Sequence, residues 1–238
     1  MILNKLYDIN ELQIPQTSRL FEEVKEFSKK IGMPFHELKW FEYAYALLYS
    51  QHQYPCKVLD VGSAQSLFPF ILAYYRYDVT TLDLEFTKFR QEEGKKFGIT
   101  ALTGDLREDF PELHESFQPI TCLSVIEHID DDTKAVLNLS EYLKPGGVLF
   151  LSTDFYKDYI KYPNANRILV TDRPAGSHTA SRVYDEQHFM ERVILPLEQN
   201  GMKRIGETNY QNVDISDSST YSVRQLYTFG IATLRKEA

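Results

Sequence analysis

The stretch VLDVGSAQS at residues 58–66 is the feature that most limits what this chain can fold into. A run of β-branched and aliphatic residues stops at an acid and a glycine, and the apolar run LFPFILAYY follows directly. This pattern predicts a buried strand, a tight turn and then a helix. Pro69 fits that helix only if it begins near Ser66, because proline is tolerated in the first helical turn. We expect the turn to bring the backbone close to a ligand.

The alternation of strands and helices continues toward the C-terminus. Apolar, β-branched runs predict further strands, and amphipathic runs between them predict helices. The predicted strands lie at residues 56–61, 78–84, 99–105, 119–129 and 148–154, with two more within 202–211 and 223–236. This order predicts an α/β fold, with a mostly parallel sheet that helices cover on both faces. In such sheets the ligand lies beyond the carboxyl ends of the strands.

Two helices are expected before the first of these strands. Residues 17–31 and 34–50 have apolar positions at helical spacing, and the second helix has an apolar surface wider than one stripe. We therefore assign residues 1–54 to an N-terminal helical cap and residues 55–238 to the main domain. Residues 155–184 follow neither periodicity and are expected to form a lid-like insertion.

Composition disfavours several classes of protein. The formal net charge of −8 makes nucleic acid an unlikely partner, because phosphate binding needs a basic surface. No run is long and apolar enough to cross a membrane, and the first residues carry acids where a signal peptide is apolar, so we expect a cytoplasmic protein. Cys56 and Cys122 stand outside any CxxC pattern, so we expect buried thiols and no metal. The oligomeric state stays open.

Carboxylates follow the predicted strands where a phosphate-binding protein needs backbone amides and a lysine. Asp60, Asp83 and Asp105 each stand at or near the end of a strand. The dinucleotide fingerprint GxGxxG is absent, since no glycine follows Gly62 at the required spacing, and this loop has no GK[ST] sequence either. Three acids at neighbouring strand ends favour a ligand with hydroxyls, an amino group and a positive charge.

These segments resemble the motifs of the class I S-adenosylmethionine-dependent methyltransferases, in the branch with a generic small-molecule methyltransferase domain. VLDVGSAQS is similar to their glycine-rich motif, LDLE to the acidic second motif, and TGDL to the adenine-side acidic motif. SVIEHI and LKPGGVLFLSTD are similar to the later motifs, and five motifs in order are more specific than one. The resemblance covers residues 55–155. It implies S-adenosylmethionine as cofactor and a Rossmann-like, seven-stranded, mostly parallel sheet with an antiparallel last strand.

The resemblance also implies which residues hold the cofactor. Asp83 would accept hydrogen bonds from the ribose hydroxyls, and Asp105 would accept one from the adenine amine. Leu84 and Leu106 would sandwich the base. The implied set is Asp60, Gly62, Ser63, Ala64, Asp83, Leu84, Gly104, Asp105, Leu106, Ser124 and Val125. The family usually has a second glycine where this chain has Ala64, whose methyl group narrows the loop.

Each of these residues has a structural interpretation as well. Aspartate is favoured at helix caps and loop entries, so a single one of the three would be explained as a cap. Three of them at adjacent strand ends favour a binding site. Leu84 and Leu106 are as consistent with core packing as with contact to a base.

Three residues are candidates for a general base, which is needed only if the acceptor loses a proton. His128 follows the strand within 119–129, Asp154 ends the next strand, and His178 lies in the insertion. His128 is equally explained as a structural or cofactor-side residue. The residues that would line an acceptor pocket, or form an ordinary loop surface, are Tyr156, Tyr159, Tyr162, Arg182 and Tyr184.

The expected activity is methyl transfer to an oxygen or nitrogen of a small-molecule acceptor, with the N-terminal helices and the insertion as the roof of the acceptor site. Positioning of the reacting atoms would supply much of the acceleration. One alternative is a methyltransferase-fold protein that binds cofactor but acts as a non-catalytic partner or regulator. Others are a protein or RNA methyltransferase and an NAD-dependent oxidoreductase. An (N/D)PPY motif after the fourth predicted strand would favour methylation of a nucleic-acid base. This chain has SVIE there instead, which disfavours that alternative.

Overall fold

The computed structural model describes residues 2–6, 15–35, 39–50, 56–63, 66–155, 169–170, 180–182, 184–210 and 228–237. The strands are β1 (Ile2–Leu6), β2 (Lys57–Val61), β3 (Asp78–Asp83), β4 (Thr100–Thr103), β5 (Ile120–Leu123), β6 (Val148–Phe155), β7 (Leu169–Val170), β8 (Ala180–Ser181), β9 (Met202–Arg204), β10 (Glu207–Asn209) and β11 (Thr228–Lys236). The helices are α1 (Pro15–Ile31), α2 (Trp40–Ser50), α3 (Phe68–Tyr74), α4 (Lys88–Lys96), α5 (Asp132–Tyr142), α6 (Glu186–Phe189) and α7 (Leu195–Gln199). A π-helical turn (Met190–Ile194) joins α6 to α7, and a 3₁₀ turn (Ile126–His128) follows β5.

The main sheet has the order β10-β1-β11-β6-β5-β2-β3-β4, and β9 pairs with the other half of β11. Strands β2 to β6 are parallel to their neighbours, and β11 is antiparallel to β6. The predicted Rossmann-like fold with an antiparallel last strand is therefore confirmed. The chain builds β3 and β4 on one side of β2 and then returns to β5 on the other. The carboxyl ends of β2 and β5 thus flank the topological switch point, where such folds bind ligands.

The sheet extends beyond the seven predicted strands through β1, and the strand predicted within 202–211 is divided into β9 and β10. Residues of β1 pair antiparallel with β11, at Lys5↔Ile231, and parallel with β10. Residues 1–54 therefore contain a strand as well as the two predicted helices. The segment ILNKL is too short and too polar for its periodicity to predict a strand. The second of these helices begins at Trp40, later than expected. The division of the chain into a cap and a main domain stays a prediction.

Helices cover both faces of the sheet, as predicted. On one face α1, α2 and α3 pack around a core that includes Val24, Trp40 and Phe68. On the other face α5 and the α6–α7 segment pack around a core that includes Leu139 and Phe189. No helix within the described residues is long and apolar enough to span a membrane.

A buried ionic network holds the end of the insertion against the start of α5. The Asp132 side chain is fully buried and accepts hydrogen bonds from the guanidinium groups of Arg182 and Arg192 and from the Tyr184 hydroxyl. Arg182 also donates to the carbonyl of Ile129, at 3.3 Å. Arg182 and Tyr184 thus bind Asp132 here, although the sequence suggested them as residues of an acceptor pocket. The network fixes where the chain returns to the sheet.

Asp132→Asn is expected to lower the free energy of unfolding by about 3–5 kcal/mol, because it leaves buried guanidinium charge without its carboxylate. Asp131→Asn is the matched control. Asp131 is exposed and caps α5 by accepting from the Lys134 amide at 3.2 Å, and asparagine caps equally well. Urea unfolding of both variants checks the prediction. Equal losses of stability in the two variants would contradict it.

Candidate functional site

The turn after β2 requires glycine for two separate reasons. Gly62 has a φ of 70°, a conformation that side chains with a Cβ disfavour. A Cβ at this position would lie 2.2 Å from Cγ2 of Val125, which follows β5. The Gly62 amide donates to the carbonyl of Leu82 at 2.9 Å and so ties the turn to β3. Two of the sequence-predicted site residues, Gly62 and Val125, therefore meet at the switch point of the sheet.

Asp60 is buried just before this turn. The Thr121 hydroxyl donates to its carboxylate at 2.6 Å. Burial raises the pKa of Asp60 to about 7; the Thr121 hydrogen bond opposes this shift, and the charge of Asp83 adds to it. Asp60 therefore changes its protonation near neutral pH, where an ordinary aspartate is ionised.

The Ser63 hydroxyl is buried and has no hydrogen-bond partner among the described residues. Ser63 lines a small cleft together with Phe86 and Arg90, beside the glycine turn. A buried polar group without a protein partner is normally satisfied by a ligand or a water molecule. Ala64, the departure from the usual glycine pattern, lies outside the described residues.

The ends of β3 and β4 lie side by side. Asp83 is half-buried, and its carbonyl accepts from the Gly104 amide at 2.9 Å. Leu84 follows with 37% of its surface exposed. A Cβ on Gly104 would lie 2.4 Å from Cζ of Phe110, so the absence of a side chain lets this ring cover the strand end.

Asp105 and Leu106 make contacts within the protein, and the roles that the resemblance implies for them stay predictions. Arg107 donates to both oxygens of the Asp105 carboxylate, at 2.5 and 3.0 Å, and also binds Asp130 at 2.8 Å. The Asp105 carboxylate is thus already charge-paired within its own loop. Leu106 is 5% exposed and packs into the core beneath α5. Its burial favours the core-packing alternative over contact with a base.

A buried carboxylate from α2 reaches the carboxyl ends of β5 and β6. Glu42 is fully buried, and one of its oxygens accepts hydrogen bonds from the hydroxyls of Ser124, at 2.6 Å, and Ser152. The ammonium group of Lys39 lies 3.0 Å from the other oxygen. Ser124 has a φ of 53°, so this sequence-predicted residue stands in a strained turn while it holds Glu42. The contact docks helix α2 on the carboxyl ends of β5 and β6.

Two further acids, Glu127 and Asp154, join this cluster. The Thr153 hydroxyl donates to one oxygen of the Glu127 carboxylate at 3.1 Å, and the other oxygen is buried without a hydrogen-bond partner among the described residues. Burial raises the pKa of Asp154 to about 7, against the attraction of Lys39. Burial and the charge of Asp154 raise the pKa of Glu127 well above its usual range. Burial thus favours the protonated forms of Glu127 and Asp154 more than it would for exposed carboxyl groups.

The three candidate bases differ in their positions. Asp154 belongs to the cluster at the end of β6, whereas His128 is exposed at the end of the 3₁₀ turn after β5. His178 lies outside the described residues, as do Tyr156, Tyr159 and Tyr162. The structure thus brings Asp154, but not His128, into a buried polar environment.

Sequence reasoning missed Lys39 and Glu42. The available signal was the acid within the run WFEYAYALLY, whose other residues are apolar or aromatic. A charged residue on a helix with such a wide apolar surface must be buried and paired, because an unpaired buried charge is strongly unfavourable. Its partners Ser124 and Ser152 are remote in sequence, so the sequence alone did not identify them.

Comparisons with known proteins agree with this geometry. The family described as methyltransferase domain matches residues 16–193. The ubiquinone biosynthesis O-methyltransferase of Aliivibrio fischeri is 25% identical over 198 residues, which cover 80% of this chain and 81% of that protein. The enzyme of the same name from Xanthomonas euvesicatoria pv. vesicatoria is 34% identical over 104 residues, 41% of this chain. This second match spans 42% of the relative's own length.

Solved structures share the fold. The 1,6-didemethyltoxoflavin-N1-methyltransferase of Burkholderia thailandensis, solved with 1,6-didemethyltoxoflavin and S-adenosylhomocysteine, superposes with a TM-score of 0.61 at 15% identity. The superposition covers 98% of this chain and 92% of that chain. The [4+2]-cyclase SpnF superposes with a TM-score of 0.57 at 14% identity, over 98% of this chain and 99% of that chain. These similarities support the fold and not a particular acceptor.

Gly62→Ala is expected to destabilise the protein more than Gly98→Ala. Both residues have a positive φ, of 70° and 72°, but a Cβ on Gly98 would meet no atom within 4 Å. The control should lose about 1–2 kcal/mol from backbone strain alone, and Gly62→Ala should lose about 1–3 kcal/mol more from overpacking against Val125. Urea unfolding measures both losses. Adding Val125→Ala should recover part of the excess, and equal losses in the two single variants would refute the steric explanation.

The raised pKa of Asp60 predicts a pH-dependent stability difference between the wild type and Asp60→Asn. Because the pKa in the folded protein, about 7, lies above the ordinary value of 3.8, protonated Asp60 favours folding. This contribution is complete below about pH 4 and is lost as the pH rises to about 7. The wild type should therefore lose stability relative to Asp60→Asn across this window. Urea unfolding at a series of pH values measures the difference, and a constant difference would show an ordinary pKa for Asp60.

Proposed function

The chain belongs to the methyltransferase family, and we propose that it transfers a methyl group from S-adenosylmethionine to an oxygen or nitrogen of a small-molecule acceptor. The observation that carries the proposal is the pairing of two polar sites at the switch point of the sheet. One site follows β2 and β3, with the glycine turn and Asp83, and the other follows β5 and β6, with Asp154. Such an arrangement would place a methyl donor and an acceptor side by side.

The residues after β2 and β3 fit S-adenosylmethionine. The buried hydroxyl of Ser63, without a partner among the described residues, suits the amino-acid end of the cofactor. The Asp83 carboxylate at the end of the neighbouring strand suits the two ribose hydroxyls. The exposed face of Leu84 suits the adenine ring. When bound, the cofactor supplies a methyl group activated by its sulfonium charge.

The acceptor site lies, in our proposal, beyond β5 and β6. The docked end of α2 covers one side of it, through Lys39 and Glu42, and the insertion returns beside it. The amides of Arg182 and Tyr184 donate to the carbonyls of Glu127 and Asp154, at 2.6 and 3.0 Å. These contacts support the expectation that the N-terminal helix and the insertion select the acceptor. The formal net charge of −8 favours a small molecule over nucleic acid.

Asp154 is the residue that we assign as general base, for acceptors that lose a proton. It is half-buried within the cluster, and its pKa of about 7 lies near the operating pH, where a base is most effective. His128 is exposed and lies outside this cluster. The rest of the acceleration comes from holding the acceptor in line with the methyl group and excluding water. We place the protein in the cytoplasm, as the sequence suggests.

The cofactor assignment predicts the outcome of calorimetric titration with S-adenosylmethionine, S-adenosylhomocysteine and NAD. The two adenosyl compounds should bind and NAD should not. Asp83→Ala should weaken their binding at least tenfold, about 1.4 kcal/mol, because the ribose hydroxyls lose their acceptor. Asp78→Ala is the matched control, since Asp78 is exposed at the opposite end of the same strand.

The two variants separate the possible results. Equal affinities of Asp83→Ala and Asp78→Ala would remove Asp83 from the cofactor site. Binding of NAD instead would favour an oxidoreductase. Formation of S-adenosylhomocysteine with a panel of phenols, amines and heterocycles then measures transfer itself. A protein that binds the adenosyl compounds but forms no S-adenosylhomocysteine with any acceptor would support the partner or regulator alternative.

A further inference from the structure

Asp154 lies on the face of the sheet against which the start of α2 packs. Asp154 on β6 stands directly opposite Phe229 on β11. Opposite residues of an antiparallel pair point to the same face, with Cβ atoms about 4.5–5.5 Å apart. The Nζ atom of Lys39 lies 4.8 Å from the centroid of the Phe229 ring. The ammonium group therefore lies over the part of the sheet from which the Asp154 side chain emerges.

Glu42 fixes the ammonium group at this place. Ser152 precedes Asp154 by two residues and points to the same face, where its hydroxyl donates to Glu42. Glu42 is fully buried, and Ser124 holds the same carboxylate oxygen. The ion pair between Lys39 and Glu42, at 3.0 Å, is thus anchored on two strands rather than on a flexible surface.

Three charged side chains act on Asp154 from the elements around it. Glu42 lies in the first turn of α2, Lys39 directly precedes that helix, and Glu127 comes from the turn after β5. Burial raises the pKa of Asp154, Lys39 lowers it, and Glu42 raises it again. Without the ammonium group, burial and the neighbouring acids would act together. A larger fraction of Asp154 would then be protonated at neutral pH and unable to accept another proton.

We propose that Lys39 is a positioning residue that increases the ionised fraction of the Asp154 carboxylate, so that Asp154 can take the proton which the acceptor loses during methylation. In this step the O–H or N–H bond of the acceptor breaks, its electron pair stays on the acceptor atom, and the proton moves to a carboxylate oxygen of Asp154. The inference rests on the proposed function, in which Asp154 is the base. It makes the N-terminal segment part of the acid–base machinery.

The test is a ¹³C NMR titration of the aspartate carboxyl groups in the cofactor-free protein, with the Asp154 resonance assigned from Asp154→Asn. In the wild type the Asp154 midpoint is expected near its pKa of about 7. Lys39→Met should raise the midpoint by about one pH unit, because an opposite charge at close range is removed. Lys39→Arg should restore it. Lys57→Met is the matched control, since Lys57 also lies over an aromatic ring, that of Phe117, but at the start of β2.

An unchanged Asp154 midpoint in folded Lys39→Met would overturn the proposal, whatever the enzyme's activity. If Lys39→Met does not fold, Lys39→Gln carries the same test, because it removes the charge and keeps a donor for Glu42.

Turnover is a separate readout. On the acidic side of the pH–activity profile, Lys39→Met should lose activity about tenfold for each pH unit by which the Asp154 midpoint rises. At high pH the variant should recover its activity. A raised midpoint with full activity of Asp154→Asn would leave the coupling intact and reject Asp154 as the base.

Discussion

The buried carboxylate of Glu42 is the constraint on which the arrangement of the candidate site depends. A carboxylate removed from water is strongly destabilising unless charge and hydrogen bonds compensate it. Here Ser124 and Ser152 donate to one oxygen, and Lys39 lies beside the other. The two serines bring their hydroxyls together at the carboxyl ends of β5 and β6. Helix α2 is consequently docked at that edge of the sheet, where we propose the acceptor site.

The sequence predicted the fold well because its signals are local. Strands β2 to β6 are apolar runs between turns, and the acid at the end of β2 and Gly62 mark the turn that the structure contains. Strand β1 was missed because its pairing, Lys5↔Ile231, depends on a partner far along the chain. Five residues with two polar side chains carry no periodic signal of their own. Tertiary pairing, rather than propensity, makes this segment a strand.

The site was predicted only in part, and for a similar reason. The sequence correctly placed Asp60, Asp83 and Gly104 at or beside strand ends, because the turn residues that end these strands are visible in the sequence. The pairing of Asp105 with Arg107 and the burial of Leu106 depend on side-chain directions that spacing does not give. The cluster of Glu42, Glu127 and Asp154 needs three elements to converge. Only the three-dimensional packing shows that these acids share the charge of one lysine from the N-terminal segment.

The pairing of β1 has a consequence for the synthesis of the protein. Residues 2–6 leave the ribosome about 200 residues before their partners in β10 and β11. At typical elongation rates the first strand waits on the order of ten seconds or more for its neighbours. During this time its hydrogen-bonding groups face water or other nascent chains. This edge of the sheet therefore forms only after β10 and β11 have been synthesised, so β1 pairs late.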